Sequence, residues 1–398
     1  MSVRKRAWRN RDGSQSESWI VNYTDQGGTR RMKSFDRKRD ADAFHATVNV
    51  DVRRGLHVPD SQSIFVAEAA RLWLESSAHL ERTTRVQYRQ HVNLHIVPLL
   101  GAAKISQLSV PMVRAFEDKL AADRSPIMVR KVLTSLGSIL ADAQERGLVA
   151  QNVVRGLRSH RRGKDATRRR GKAADRRRKL KAGVDIPTPD EIRAIVARLD
   201  KDTRWRPLLL TAIFTGLRAS ELRGLPWSDI DLRRGELHVR QRADRYGKIG
   251  SPKSEAGERA VPLPPMLVNA LRAWKLACPK GDLELVFPNN HGGVEKLSNI
   301  VERGLIPIGI AAGIVTPAGK AKYSGLHTLR HFFASWCINR KADGGLELPP
   351  KMVQERMGHA SITMTMDVYG HLFPRKDDSA ELAAAERALV MHSVGSRT

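Results

Sequence analysis

Residues 155–183 hold 14 Lys or Arg against two Asp, with almost no apolar periodicity. Such a run cannot bury enough surface to fold by itself, so it divides the chain. At 398 residues the chain is too long for one typical compact domain, and the break leaves room for folded segments on both sides. The predicted parts are residues 1–58, residues 64–150, a basic linker over 151–185, a large segment over 186–386 and a tail over 387–398.

The formal net charge is +27. Self-repulsion on that scale disfavours a compact state, and a polyanionic partner relieves it. Nucleic acid is favoured over a membrane because no stretch approaches the ~20 apolar residues of a spanning helix. The longest apolar run, residues 208–214, suits a buried helix. The basic first residues lack the apolar core of a secretory signal, which predicts a cytoplasmic protein. Cys278 and Cys337 are the only cysteines, so no disulfide framework is implied and a reducing compartment fits.

Residues 19–23 and 29–35 alternate around Asp25-Gln26-Gly27-Gly28, which predicts a hairpin. Asp36 then caps a helix through Ala41, Phe44 and Val48. Arg30, Arg31, Lys33, Arg37, Lys38 and Arg39 make this segment basic. The pattern fits a satellite domain with solvated charges as well as a two-stranded ribbon for a DNA groove.

Residues 64–150 read as four amphipathic helices, marked by Phe65, Leu72 and Trp73, by Tyr88, Val92 and Ile96, by Val113, Phe116 and Leu120, and by Val129, Leu136 and Leu140. His91 and His95 stand four apart, but no third ligand accompanies them and no metal is predicted. Beyond the linker, Thr188-Pro189-Asp190-Glu191 is a capping box that starts a helix. Two β-like runs, residues 236–241 and 258–263, predict a small sheet inside a mostly helical domain, with Lys253 at the hairpin tip between them. No Gly-rich stretch has the context of a nucleotide loop, so no cofactor is expected.

The second half of the chain carries, in order, Arg218, Lys253, His327, Arg330, His359 and Tyr369. A site that attacks a phosphodiester without a metal needs such a set: a nucleophile, cations for the phosphate oxygens and proton donors for the leaving oxygen. Taken singly, each is an ordinary surface cation, turn histidine or core aromatic. His327 and Arg330, three apart on a predicted helix, share a face and can address one phosphate. A planar guanidinium can contact two oxygens at once.

The words around these residues are more specific than the residues. They are Thr215-Gly216-Leu217-Arg218-Ala219-Ser220-Glu221-Leu222, then Pro252-Lys253-Ser254-Glu255-Ala256-Gly257-Glu258-Arg259, then His327-Thr328-Leu329-Arg330-His331-Phe332-Phe333. Met357-Gly358-His359-Ala360-Ser361 and Asp367-Val368-Tyr369-Gly370-His371-Leu372 complete the series. In order and wording they resemble the tyrosine recombinase (phage integrase) family.

The resemblance implies a multidomain, mainly α architecture with small β-sheets. Its parts are an arm-type DNA-binding domain of a three-stranded sheet plus helix, a helical core-binding bundle and a mixed α+β catalytic domain. It implies a site-specific recombinase of a phage or other mobile element, acting through a 3′-phosphotyrosyl intermediate without metal or ATP. Tyr369 would be the nucleophile, Lys253 the main proton donor, and His327, rather than His331 or His371, the catalytic histidine of the central helix, assisting proton transfer to and from Tyr369. Arg218, Arg330 and His359 would hold the phosphate oxygens, and Glu221 would either orient Arg218 or serve only its helix.

Arg30, Arg31 and Lys33 of the arm segment and Arg168, Arg169 and Arg170 of the linker would contact DNA. The implied partners are double-stranded attachment sites, three further protomers in a homotetramer on DNA, and accessory DNA-bending or directionality proteins; the implied location is the bacterial cytoplasm, on the nucleoid. A predicted helix over 380–389 would dock on a neighbour or simply end the chain. Two readings stay open beside this one: a type IB topoisomerase and a non-catalytic DNA-binding regulator.

Overall fold

The computed structural model of the chain describes residues 2–10, 12–25, 27–53, 58–59, 62–160, 179–200, 203–374, 382–383 and 386–390. Arg168, Arg169, Arg170 and Ala380 lie outside the described residues. The chain divides into two compact units, Met1–Asp175 and Arg176–Thr398.

In the first unit, strands β1 (Ser2–Arg9), β2 (Gln15–Thr24) and β3 (Arg30–Phe35) form an antiparallel sheet in that order. The predicted hairpin is β2–β3, with Trp19 opposite Phe35. Helix α1 (Lys38–Arg53) covers one face of the sheet, packing Ala41 and Val48 with Val21 and Tyr23, and Phe44 edge-on to Tyr23.

Strand alternation puts Arg31, Lys33 and Phe35 on this helix-covered face. Arg31 Nε donates to Asp25 Oδ2 at 2.8 Å, and Lys33 Nζ lies 4.7 Å from the centre of the Phe44 ring. Two of the three cations predicted to face DNA from β3 are thus engaged inside the domain, and Arg30 alone of them is exposed. The opposite face carries exposed Arg4, Arg6 and Trp8 from β1, a strand the hairpin signal did not include.

The following helices are α2 (Val66–Ser76), α3 (Arg82–His91), α4 (Val97–Leu100), α5 (Val110–Asp123), α6 (Pro126–Glu145) and α7 (Val153–His160). Trp73, Ile96, Phe116, Leu136 and Leu140 lie at their common core. Between α3 and α4 the helix widens to a π turn over Val92–Ile96, just ahead of Pro98, which has no N–H to offer. Buried His91 pairs its Nδ1 with Ser135 Oγ at 2.8 Å. Helix α7 corrects the predicted linker: Val154 and Leu157 are buried in this core, so residues 153–160 belong to the bundle. One and a half turns of apolar spacing inside a basic run gave too weak a periodic signal to read.

The second unit opens on α8 (Pro189–Arg198). Its capping box is present: Thr188 Oγ1 accepts from Glu191 N at 3.2 Å, and Glu191 Oε2 accepts from Thr188 N at 2.8 Å. The same carboxylate meets Lys322 Nζ at 2.6 Å and the Tyr323 hydroxyl at 2.8 Å, which fastens the chain just before the predicted His327 helix. The apolar α9 (Trp205–Thr215) runs through the centre of the core, followed by the short α10 (Ala219–Arg223).

Strands β4 (Ile230–Asp231), β5 (Glu236–Val239) and β8 (Arg259–Pro262) form the predicted small sheet, with Val239 opposite Arg259. A second hairpin, β6 (Arg242–Ala243) with β7 (Ile249–Gly250), intervenes between β5 and β8. Helices α11 (Pro265–Ala277), α12 (Leu297–Asn299), α13 (Ile306–Ala311), α14 (His327–Ile338), α15 (Pro350–Met357) and α16 (Ile362–Tyr369) complete the unit. Of the helix predicted over 380–389, residues 382–383 and 386–389 are helical. Among the described residues, no helix is long and apolar enough to cross a membrane.

Candidate active site

Three consecutive carbonyls at the end of α15 organise the site. A helix C-terminus leaves such oxygens without intrahelical partners and gives that end a partial negative charge. Arg259 Nε donates to Arg356 O at 2.8 Å, Arg330 Nη2 donates to Met357 O, and Arg218 Nη2 donates to Gly358 O at 2.8 Å. Guanidiniums from β8, α14 and the start of α10 thereby converge on one helix end.

Gly358 makes this possible. Its φ of 61° is left-handed, and a Cβ there would stand 2.7 Å from Arg259 Nη1 and 2.9 Å from Ala256 O. Gly216, with φ 59°, ends α9 in the same way, and its carbonyl accepts from Arg330 Nη1 at 2.5 Å. Its missing side chain leaves room for the ring of Phe333.

Glu221 balances part of this charge. It is 2% exposed, accepts from Arg218 Nη1 at 2.6 Å through Oε1 and from Arg259 Nη2 at 2.8 Å through Oε2. Burial alone would raise its pKa, but Arg259 and Arg218 outweigh it and hold the carboxyl down at about 2. Arg330 is equally buried; burial, then Arg218, lowers its pKa to about 9, which leaves it charged at neutral pH.

Helix α16 brings Tyr369 beside this cluster. Ser361 caps it, accepting from Met364 N at 3.3 Å, and Tyr369 at its far end is 2% exposed. Burial pushes the phenol up to about 12, against the opposing pull of Arg330. The His359 ring lies parallel to it, 6.2 Å between centres, and His359 Nδ1 pairs with Thr365 Oγ1 at 2.9 Å. Burial first, then Arg330 and Arg218, lower His359 to about 4, so its imidazole is neutral. The pKa of His327 is lowered by the same causes in the same order: burial, Arg330 and Arg218.

These residues fall inside the part of the chain, residues 187–376, that matches the phage integrase family. The chain is 26% identical over 386 residues to a XerC-like tyrosine recombinase of Caldanaerobacter subterraneus subsp. tengcongensis, covering 89% of this chain and 92% of that protein. Residues 187–376 belong to the phage integrase family of tyrosine recombinases. Solved structures agree at the level of fold. The Tn1549 transposon integrase, in complex with transposon right end DNA, superposes with a TM-score of 0.62 at 18% identity, covering 82% of this chain and all of that one. A lambda integrase tetramer bound to a Holliday junction gives 0.53 at 17% identity, over 90% of this chain and 96% of that one.

In this recombinase Arg218, His327, Arg330, His359 and Tyr369 are gathered in one cluster. Lys253 lies in the loop after β7, exposed to solvent. The hairpin whose tip it was expected to occupy is interrupted by β6–β7, so Lys253 lies on the returning strand side. Its neighbour Pro252 packs against Gly257, whose carbonyl accepts from Arg259 Nη1 at 3.0 Å.

Two residues of the recombinase site escaped the sequence reading. Arg259 stood inside the lysine word, but only the fold shows it paired with Glu221. His331 was set aside in favour of His327, yet its Nδ1 is 2.7 Å from the Tyr369 hydroxyl. The rings of His327 and His331 meet edge-on, 4.5 Å apart, as expected of residues one helical turn apart. His371 donates from Nε2 to Leu180 O at 2.8 Å, which ties the chain after Tyr369 to the start of the unit.

Proposed function

We propose that this recombinase, as the integrase of a mobile element, cuts and rejoins double-stranded DNA at attachment sites through Tyr369. The observation that carries the reading is a buried phenol within the electrostatic reach of the Arg330 guanidinium, which shares one helix end with that of Arg218. Tyr369 Oη attacks the phosphorus, giving a 3′-phosphotyrosyl bond and a free 5′ hydroxyl. A 5′ hydroxyl from the partner duplex then attacks that bond and releases the phenol. Each step exchanges one phosphoester for another, so the bond energy is retained and no nucleotide need be spent.

Arg218, Arg330 and His359 hold the non-bridging oxygens as charge builds on them, a role in which one lost donor costs roughly 10²- to 10³-fold. Lys253, on its exposed loop, reaches the leaving 5′ oxygen once DNA fills the site, and His327 supports the phosphate from the face it shares with Arg330. The sheet face carrying Arg4 and Arg6, and the linker arginines 168–170, add phosphate contacts.

Relatives give the reading its substrate. The Tn1549 integrase binds its transposon end, and the lambda integrase forms a tetramer on a Holliday junction. By that likeness four protomers of this chain assemble on two attachment sites. Strand exchange between two duplexes in the presence of EDTA and without ATP is the expected activity. Relaxation of supercoils without any exchanged product would assign the site to a topoisomerase instead.

A further inference from the structure

We propose that His331 is a catalytic residue: its Nδ1 takes the proton of Tyr369 as the phenol oxygen attacks phosphorus. The inference rests on the reading of Tyr369 as nucleophile. It changes which histidine serves it.

The geometry is direct. His331 Nδ1 lies 2.7 Å from Tyr369 Oη, within the reach required of a general base, and the two rings meet at 62°. His327, the histidine expected to serve the nucleophile, shows its ring to His331 rather than its nitrogen to the phenol. His359 faces Tyr369 ring to ring and spends its Nδ1 on Thr365. Among the described residues the Tyr369 hydroxyl therefore has one imidazole nitrogen aimed at it.

Protonation favours the same assignment. The groups that face His331 are His327 and Arg330 on its own helix, Tyr369 on α16 and Asp185 ahead of α8. Burial, then His327 and Arg330, push His331 down to about 4, with Asp185 opposing. A neutral imidazole keeps a lone pair free, and the phenol beside it, raised to about 12, keeps its proton. In the tautomer that carries its proton on Nε2, the 2.7 Å hydrogen bond runs from Oη–H to Nδ1, and this is the form that can take the proton. Burial keeps His331 neutral well below the pH at which an ordinary histidine would charge and lose its acceptor.

The step balances. The Oη–H bond breaks and its proton passes to Nδ1; an oxygen lone pair forms the bond to phosphorus; the bond from phosphorus to the 5′ oxygen breaks, and that oxygen takes a proton from Lys253. On religation the 5′ hydroxyl attacks phosphorus and gives its proton back to neutral Lys253, while the charged His331 returns its own to the departing phenol. The phosphate bound between Arg218 and Arg330 places an anion near the imidazole and steadies its transient charge.

The test separates proton transfer from simple positioning. Single-turnover formation of the covalent complex is measured on a nicked duplex for the full-length wild type, His331→Ala, His331→Asn and Tyr369→Phe, with DNA binding and thermal melting measured for each. An Asn side chain can place an amide at the Nδ1 position and hold Oη, but it cannot accept a proton. Both His331 variants are expected to bind DNA and to cleave about 10²-fold or more slowly. A duplex with a bridging 5′ sulfur, whose thiolate leaves without a proton donor, is expected to rescue Lys253→Ala and to leave the His331 variants slow. Wild-type rates in either His331 variant, or their rescue by the bridging sulfur, would overturn the proposal. A wild type that forms no covalent complex, like Tyr369→Phe, would instead count against the nucleophile assignment itself.

Discussion

Glu221 shows how a single side chain fixes the chemistry around it. A carboxylate this buried survives as an anion because two guanidiniums, on Arg218 and Arg259, lie within 2.8 Å of it. Its folded pKa of about 2 lies below the ordinary glutamate value of 4.5, so its contribution to stability is present above pH 4.5 and lost as pH falls through 2. That shift corresponds to something on the order of 3 kcal/mol. Glu221→Gln is expected to lower the stability of the second unit by a comparable amount at pH 7, because buried cations lose their counter-charge. Chemical denaturation of the full chain, followed as a function of pH, checks this. A variant with wild-type stability at neutral pH and an unchanged acid midpoint would show that the pair carries no such role.

At the scale of elements, the site depends on where helices stop. The end of α15 presents Arg356, Met357 and Gly358 carbonyls to three arginines that are far apart in sequence. Gly358→Ala must move either Arg259 or the backbone of Ala256, since a Cβ meets both below 3 Å. A cost of about 1–3 kcal/mol follows from strain at this position, with a fall in cleavage that exceeds any loss of DNA binding. Comparing cleavage rates with binding isotherms for this variant checks the claim, and equal losses in both would refute it.

The capping box at Thr188 was legible, because that signal acts within four residues; Gly216 and Gly358, which close their helices, are local signals of the same kind. The local words also named the cluster in advance. What the sequence hid is what depends on packing. Arg259 meets Glu221, and His331 meets Tyr369, across 38 residues in each case, and no local spacing encodes either pair. Arg31 and Lys33 were read as surface because the face that α1 covers is decided by the whole sheet. Lys253 was placed at a hairpin tip because β6 and β7 are only two residues long each, too short for an alternating pattern.

For the whole molecule, the excess of positive charge suits a polyanionic partner, and the chain divides into two compact units. The first unit carries a sheet with exposed arginines and a helical bundle; the second carries the cluster proposed as the active site. That division makes DNA binding and bond breaking separable, so loss of the nucleophile should leave binding intact. The most direct measurement is denaturing electrophoresis of the protein with a labelled duplex that carries its attachment site and a nick beside the scissile phosphate, in excess EDTA. The account predicts a denaturation-resistant protein–DNA species with the wild type, linked through the 3′ phosphate to Tyr369, and none with Tyr369→Phe, although both bind the duplex. A covalent species that persists in Tyr369→Phe, or that is absent from both proteins on a bound duplex, would contradict it.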